Sequence, residues 1–308
     1  VFCDQQAQTG RGSAGLERAL QDLEERLERE PGPYGLAFFG GTFTGLSRTW
    51  QERFLEMAGR FRGARGLTHL RLSTRPDRID GPTLERLRGH GVDMIELGVQ
   101  TFDDGVLERS GRDYAGEVAA AACAMVRAAG FELGVQLLPG LPGHGRAQWR
   151  KDVARTLELR PGVVRIYPCV VMAGTELAAM HERGVYEPWP LAMAVEECAH
   201  ALTLFREAGI QVIRLGLAGE ADMLARLVAG PWHPAFGNMV ASLALRQFLE
   251  QRLRFAGGRI AKIFMPARLS GELWGHGRAN APALAELGIV KDRVEFWAGR
   301  DIVVELEE

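Results

Sequence analysis

The chain has 308 residues, 46% apolar and 25% charged, with a formal net charge of −2. That length suits one large α/β unit with a small companion, and the composition is that of a folded globular chain. It excludes a global field that would collect nucleic acid, and no run of about eighteen apolar residues exists to span a membrane.

No signal peptide is expected. The basic residues are nearly all Arg, with Lys only at Lys151, Lys262 and Lys291, which reads mainly as coding bias. Cys3, Cys123, Cys169 and Cys198 are too scattered for a disulfide framework, which fits a reducing cytoplasm. The chain opens on Val1 in what reads as the middle of a motif, so a native N-terminus further upstream is expected.

In chain order, Val1-Phe2-Cys3-Asp4 comes first. Residues 13–30 follow as an amphipathic helix with Leu16, Leu20, Leu23 and Leu27 on one stripe, stopped by Pro31-Gly32-Pro33. Residues 36–39 suit a buried strand. It ends in Gly40-Gly41-Thr42-Phe43-Thr44, a glycine pair that lets something approach the backbone closely. In barrels of parallel strands, ligands sit at that strand end. Helices are expected over 49–61, 82–88, 104–109, 116–129, 148–159 and 192–208, and strands over 67–74, 93–100, 133–138, 163–171 and 211–217.

Strand and helix alternate through short connections, which predicts a parallel sheet rolled into a barrel. The fold class is α/β: a partial (β/α)6 TIM-like barrel over residues 1–218, counting one expected strand before Val1 and treating 211–217 as an extension. Residues 219–308 change character. A loop over 228–237 leads to a helix (239–255), a strand (259–264), a helix (267–274), Gly275-His276-Gly277-Arg278, a helix (282–287) and two strands (293–297 and 301–306). This is a small α+β unit, and its order looks like that of a KH-type RNA-binding fold. There Arg278 stands in place of a loop glycine; the alternative is a lid or a dimerisation unit.

The strand ends together resemble the radical S-adenosylmethionine enzymes, and within them the bacterial relatives of the Elongator catalytic subunit, which modifies the wobble uridine of tRNA. The pieces are Phe2-Cys3, Gly40-Gly41-Thr42-Phe43, Ser73-Thr74-Arg75-Pro76-Asp77, Glu96-Leu97-Gly98-Val99-Gln100, Leu138-Pro139-Gly140-Leu141-Pro142-Gly143, and Arg165-Ile166-Tyr167-Pro168 with Gly174-Thr175-Glu176-Leu177. They cover residues 1–190 in family order. The Gly-Gly-Thr-Phe and Thr-Arg-Pro-Asp forms favour this branch over the coproporphyrinogen dehydrogenases.

The resemblance implies a 4Fe–4S cluster and S-adenosylmethionine as cofactors, with Cys3 the last of three cluster ligands. It places Phe2 by the adenine, and Gly40, Gly41 and Thr42 at the methionine ammonium. Ser73, Gln100 and Arg112 complete the cofactor set, with Arg112 on the methionine carboxylate. It also implies tRNA as a partner and an electron donor such as ferredoxin or flavodoxin. Three departures stand out, the first being that the two cluster cysteines expected before Cys3 are not in the sequence. Ser73 occupies a position where the Elongator subunit carries Glu, and that subunit's acetyltransferase domain has no counterpart here.

Other residues read blandly. Cys123 and Cys198 are expected as core thiols, Cys169 as core or rim packing, and His69 as structural. Glu176 reads as a helix-start carboxylate. His144 and His233 fall in loops with no carboxylate assigned to them. Two functions follow: a radical enzyme, acting on tRNA or by a coproporphyrinogen-like oxidation, or a barrel that has lost its cluster and holds RNA.

Overall fold

The computed structural model describes residues 13–39, 41–254 and 259–307. Its centre is a six-stranded, all-parallel sheet of β1 (Tyr34–Phe38), β2 (Leu67–Thr74), β3 (Met94–Gln100), β4 (Glu132–Leu137), β5 (Val163–Ile166) and, after a short β6 (Val171–Met172), β7 (Gln211–Leu215). Apart from β6, which pairs elsewhere, the strands lie side by side in chain order. The helices between them are α1 (Ser13–Arg29) ahead of β1, α2 (Arg48–Arg60), α3 (Gly81–Gly89), α4 (Asp104–Arg109), α5 (Gly116–Ala128), α6 (Arg146–Leu159), α7 (Glu176–Glu182) and α8 (Leu191–Glu207).

Consecutive parallel strands joined by crossovers of one hand put every helix on the same face, so the sheet curls and its other face becomes concave. Period-two alternation divides the side chains accordingly. Leu70 and Leu72, then Ile95, Leu97 and Val99, then Leu133, Val135 and Leu137, then Val164 and Ile166, are buried in the core. Each such side chain contributes about 1.5–3 kcal/mol by leaving water. The intervening positions turn to the concave face. Register pairs Arg71 with Met94, Ser73 with Glu96, Glu96 with Gly134, and Gln136 with Arg165. This curled parallel sheet is the expected partial barrel, with 211–215 as its edge strand.

Two expectations need correction. Residues 163–171 do not form one strand: β5 stops at Ile166, and Val171–Met172 pairs antiparallel with a strand at Leu227–Ala229. Pro168 supplies no backbone donor, so the ladder cannot run through it. For the same reason, the stretch beginning at Val228 is not wholly a loop. It opens with that strand, β8, after a short helix α9 (Ala221–Arg226).

Helix α10 (Phe236–Leu253) joins the two parts of the chain. Its first half sends Phe236, Val240, Ala241 and Ala244 into the main core, and its second half sends Leu245 and Leu249 into a separate small core. That second core lies under β9 (Ile260–Pro266), β10 (Val294–Trp297) and β11 (Val303–Leu306), in sheet order β10-β9-β11, with α11 (Ser270–Leu273) and α12 (Ala281–Glu286). The turn at His276–Arg278 carries Gly277 and Arg278 at φ of 59° and 64°. Asn280 pins it by donating to the carbonyls of Ser242 and Leu273 at 2.9 and 3.1 Å.

Candidate functional site

The polar residues of the sequence motifs gather where β1, β2 and β3 end. Phe2, Cys3 and Gly40 lie outside the described residues. Gly41 has a φ of +133°, a region that a side chain at Cβ disfavours, so the backbone there stays bare. Thr42 follows in extended conformation, and its carbonyl accepts from Gly45 N–H at 2.9 Å. The turn is anchored below by Phe43, buried and stacked on Phe38 at 5.1 Å between ring centroids. It is tied sideways by a short hydroxyl–hydroxyl hydrogen bond between Thr44 and Thr74.

Ser73 is buried near the end of β2, in register with Glu96 on the concave face. Gln100 closes β3 in the left-handed region, at a φ of 69°. A non-glycine residue there carries strain that the surrounding structure must hold. Gly98 makes room for it: a Cβ on Gly98 would stand 2.9 Å from Gln100 Nε2. Among the described residues the Gln100 amide makes no side-chain hydrogen bond, while its backbone carbonyl accepts from Leu138 N–H at 2.9 Å.

Arg112 reaches the same strand end through Tyr114. The Tyr114 hydroxyl points at the carbonyls of Val99 and Gly98, at 3.4 and 3.5 Å, and accepts from Arg112. Burial holds this phenol above its ordinary range against the pull of Arg112 and Arg75, so it stays a donor. Arg75 itself is held by Asp77 through hydrogen bonds of 2.8 and 3.0 Å, and its guanidinium lies 5.7 Å from the centre of the Tyr114 ring.

Bare glycine, hydroxyls, an open amide and a guanidinium suit a ligand that carries both an ammonium and a carboxylate. The described residues therefore fit the amino-acid end of S-adenosylmethionine. They offer nothing to an iron–sulfur cluster: among them no three His, Cys, Asp or Glu side chains group as metal ligands. Cys123, Cys169 and Cys198 are fully buried, and burial pushes the first two thiols up to about 12. A cluster would need the segment that contains Cys3.

The structure also gathers residues for which the sequence assigned no role. Glu96 is wholly buried on the concave face and accepts from Arg165 Nε at 2.6 Å and Nη2 at 3.4 Å, while Arg71 Nη1 lies 3.5 Å away. Both guanidiniums stand over the ring of Phe39, at 5.1 Å for Arg71 and 4.8 Å for Arg165. The signal available in sequence was Gly134. A Cβ there would come within 2.5 Å of Glu96 Cγ, so a glycine in mid-strand marks where a neighbouring side chain crosses.

His144 does have a carboxylate, contrary to expectation. Its Nε2 lies 3.2 Å from Asp152 Oδ2, with both side chains buried. His233 is a turn residue whose Nδ1 accepts from Ala235 N–H at 3.0 Å. His69 sits 3.5 Å from Glu132, and Glu176 is the first residue of α7, paired with Arg183 at 2.9 Å. Cys169 packs in a small side cluster with Val106, Leu141 and Tyr186.

Residues 1–155 match the Radical SAM superfamily, and residues 161–244 match the Radical_SAM C-terminal domain. The chain is 27% identical over 237 residues to a tRNA uridine(34) acetyltransferase of Methanocaldococcus jannaschii, covering 66% of this chain and 44% of that protein. It is 27% identical over 186 residues to the heme chaperone HemW of Bacillus subtilis, covering 60% and 49%. Among solved structures, the archaeal Methanocaldococcus infernus Elp3 with an N-terminal deletion superposes with a TM-score of 0.61 at 22% identity, over 78% of this chain and 58% of that one. The chain thus spans less than half the length of the curated relatives it matches.

Proposed function

The chain belongs to the radical SAM superfamily, whose members use a 4Fe–4S cluster and S-adenosylmethionine, and we propose that it is a radical enzyme acting in tRNA modification. The observation that carries this reading is the convergence of Gly41, Thr42, Ser73, Gln100 and Arg112 on the ends of three adjacent strands. A 4Fe–4S cluster and S-adenosylmethionine held there would supply reductive cleavage and 5′-deoxyadenosyl-radical hydrogen-abstraction chemistry.

The protein's own part is to bind, orient and shield. Cys3 is the cluster ligand in this proposal, and Phe2 flanks the adenine. Gly40, Gly41 and Thr42 are the partners of the methionine ammonium in this proposal. Arg112, steadied by Tyr114, holds the carboxylate, and Ser73 and Gln100 supply the remaining polar contacts. The concave face below them receives the substrate, and an external donor such as ferredoxin or flavodoxin supplies the electron. Residues 1–218 form the barrel in this proposal and residues 219–308 the accessory unit, with α10 reaching into both cores. The tRNA direction draws support from the relative named for tRNA uridine(34) and from the Gly-Gly-Thr-Phe and Thr-Arg-Pro-Asp motifs.

The test is formation of 5′-deoxyadenosine. The full-length protein is reconstituted anaerobically with iron and sulfide and given S-adenosylmethionine and dithionite. Product above a Cys3→Ala control is expected. No product and no bound iron would end the radical reading and leave an RNA-holding barrel.

A further inference from the structure

The concave face holds more positive charge than its own carboxylate compensates. Glu96 faces two guanidiniums, and its oxygens already engage Arg165 in a two-point contact. The third Arg165 nitrogen donates to the Tyr167 hydroxyl at 3.3 Å. Burial works to lower the Arg165 pKa, but Glu96 and Tyr167 outweigh it and hold the guanidinium above its usual range. Arg165 and Glu96 are therefore a finished pair.

Arg71 is the surplus. It approaches Glu96 only to 3.5 Å, and among the described residues it makes no hydrogen bond. Its side chain keeps 31% of its exposure, and Phe39, beside it, keeps 46%. The next strand over adds no carboxylate: Arg165 is in register with Arg214, whose Nε donates to Gly216 at 3.0 Å. Two guanidiniums crowded on one carboxylate repel each other, and partly withdrawing the second from water is unfavourable unless an anion arrives to pair with it. Phe39 lies against both cations as an apolar wall, which strengthens any charge pairing made beside it.

We propose that Arg71 and Arg165, walled by Phe39 and set by Glu96, form a subsite on the chamber floor for one oxyanion of the substrate, a carboxylate or a phosphate. The subsite deepens the proposed function, because it rests on reading the concave face as the substrate chamber. Glu96 is a positioning residue. It fixes Arg165 and leaves the charge of Arg71 without a full partner.

Ligand-observed NMR of the full chain, at constant ionic strength, tests this with inorganic phosphate and separately with labelled acetate. Saturable binding of at least one anion is expected. Arg71→Gln should weaken it about tenfold, through loss of a charge-assisted contact, and Arg71→Lys should restore part of it. Glu96→Gln should tighten it, since removing the carboxylate frees the charge of Arg165 as well; a gain of affinity cannot come from misfolding. Phosphate alone, acetate alone or both, with this mutant pattern, support the subsite and say which oxyanion it takes. No saturable binding of either, or binding that neither Arg71→Gln nor Glu96→Gln alters, overturns it. Neither cluster nor S-adenosylmethionine enters the measurement, so this failure is separable from a failure to form 5′-deoxyadenosine.

Discussion

His144 Nε2 lies 3.2 Å from Asp152 Oδ2, and neither side chain is more than 1% exposed. The contact is close enough for charge but outside hydrogen-bond alignment. Asp152 also accepts from Phe102 N–H at 2.8 Å, while Trp189 Nε1 donates to the His144 carbonyl at 2.8 Å. One carboxylate on α6 therefore ties down both the glycine-proline loop after β4 and the turn after β3. These are the two segments that flank Gln100.

Asp152→Ala leaves the Phe102 amide buried without its acceptor and the buried His144 ring without its neighbouring carboxylate. The expected loss is about 3 kcal/mol, in line with breaking one side of a buried pair. Urea unfolding followed by circular dichroism checks this. A shift in midpoint with an unchanged slope is the expected form, and a loss below about 1 kcal/mol would remove Asp152 from this role.

Two glycines should respond with opposite signs. Gly134→Ala drives a methyl group to 2.5 Å from Glu96 Cγ. It should cost about 1–3 kcal/mol, because the neighbour is wedged between Arg165 and Arg71 and cannot yield cheaply. Gly59→Ala in α2 meets nothing within 4 Å and should stabilise by about 0.4–1 kcal/mol through the unfolded chain. Paired thermal melts decide both, and like signs would contradict the packing described.

Gly41→Val places a β-branched side chain at a φ of +133° beside Thr42. S-adenosylmethionine affinity, read by calorimetry on the folded variant, should fall about tenfold or more. Unchanged affinity would take the glycine turn out of the cofactor site.

Burial disfavours the thiolates of Cys123 and Cys169 and holds both thiols protonated up to about 12. Near pH 8 an aromatic disulfide reagent should leave Cys123, Cys169 and Cys198 unmodified in the native protein and label them in urea, as peptide mass spectrometry would reveal. The sign of the linkage follows. From about pH 9 to about 12 the unfolded chain has released these protons while the folded chain keeps them, so stability falls as pH rises across that window. Replacing Cys123 with Ala should flatten part of that fall in alkaline urea titrations, and an unaltered slope would deny the linkage.

Much of the frame is local information. Strand β2 and helix α4 are legible to the residue, because Leu67–Thr74 alternates with period two and Asp104–Arg109 starts from an Asp cap and ends before Gly111. The turn at 41–45 and the Gln100 strand end are legible as motifs because bare glycines and polar strand ends are unusual for their neighbourhoods. The break after β5 was not, since Val170 and Val171 continue the apolar character of the strand. Only pairing with Leu227–Ala229 shows where the ladder ends.

By itself, the sequence determined the alternation of the barrel's main strands and helices, its all-parallel curl and the polar motifs at the strand ends. Each follows from a period of two or 3.6 and from residue types within one segment. The tertiary structure alone decided which side chains meet: Glu96 with Arg165 across 69 positions, both cations against Phe39, and His144 with Asp152. Those meetings depend on register and on the curvature that turns one face of the sheet inward. Neither is written near any one of the residues, because both arise from packing every helix against the opposite face at once.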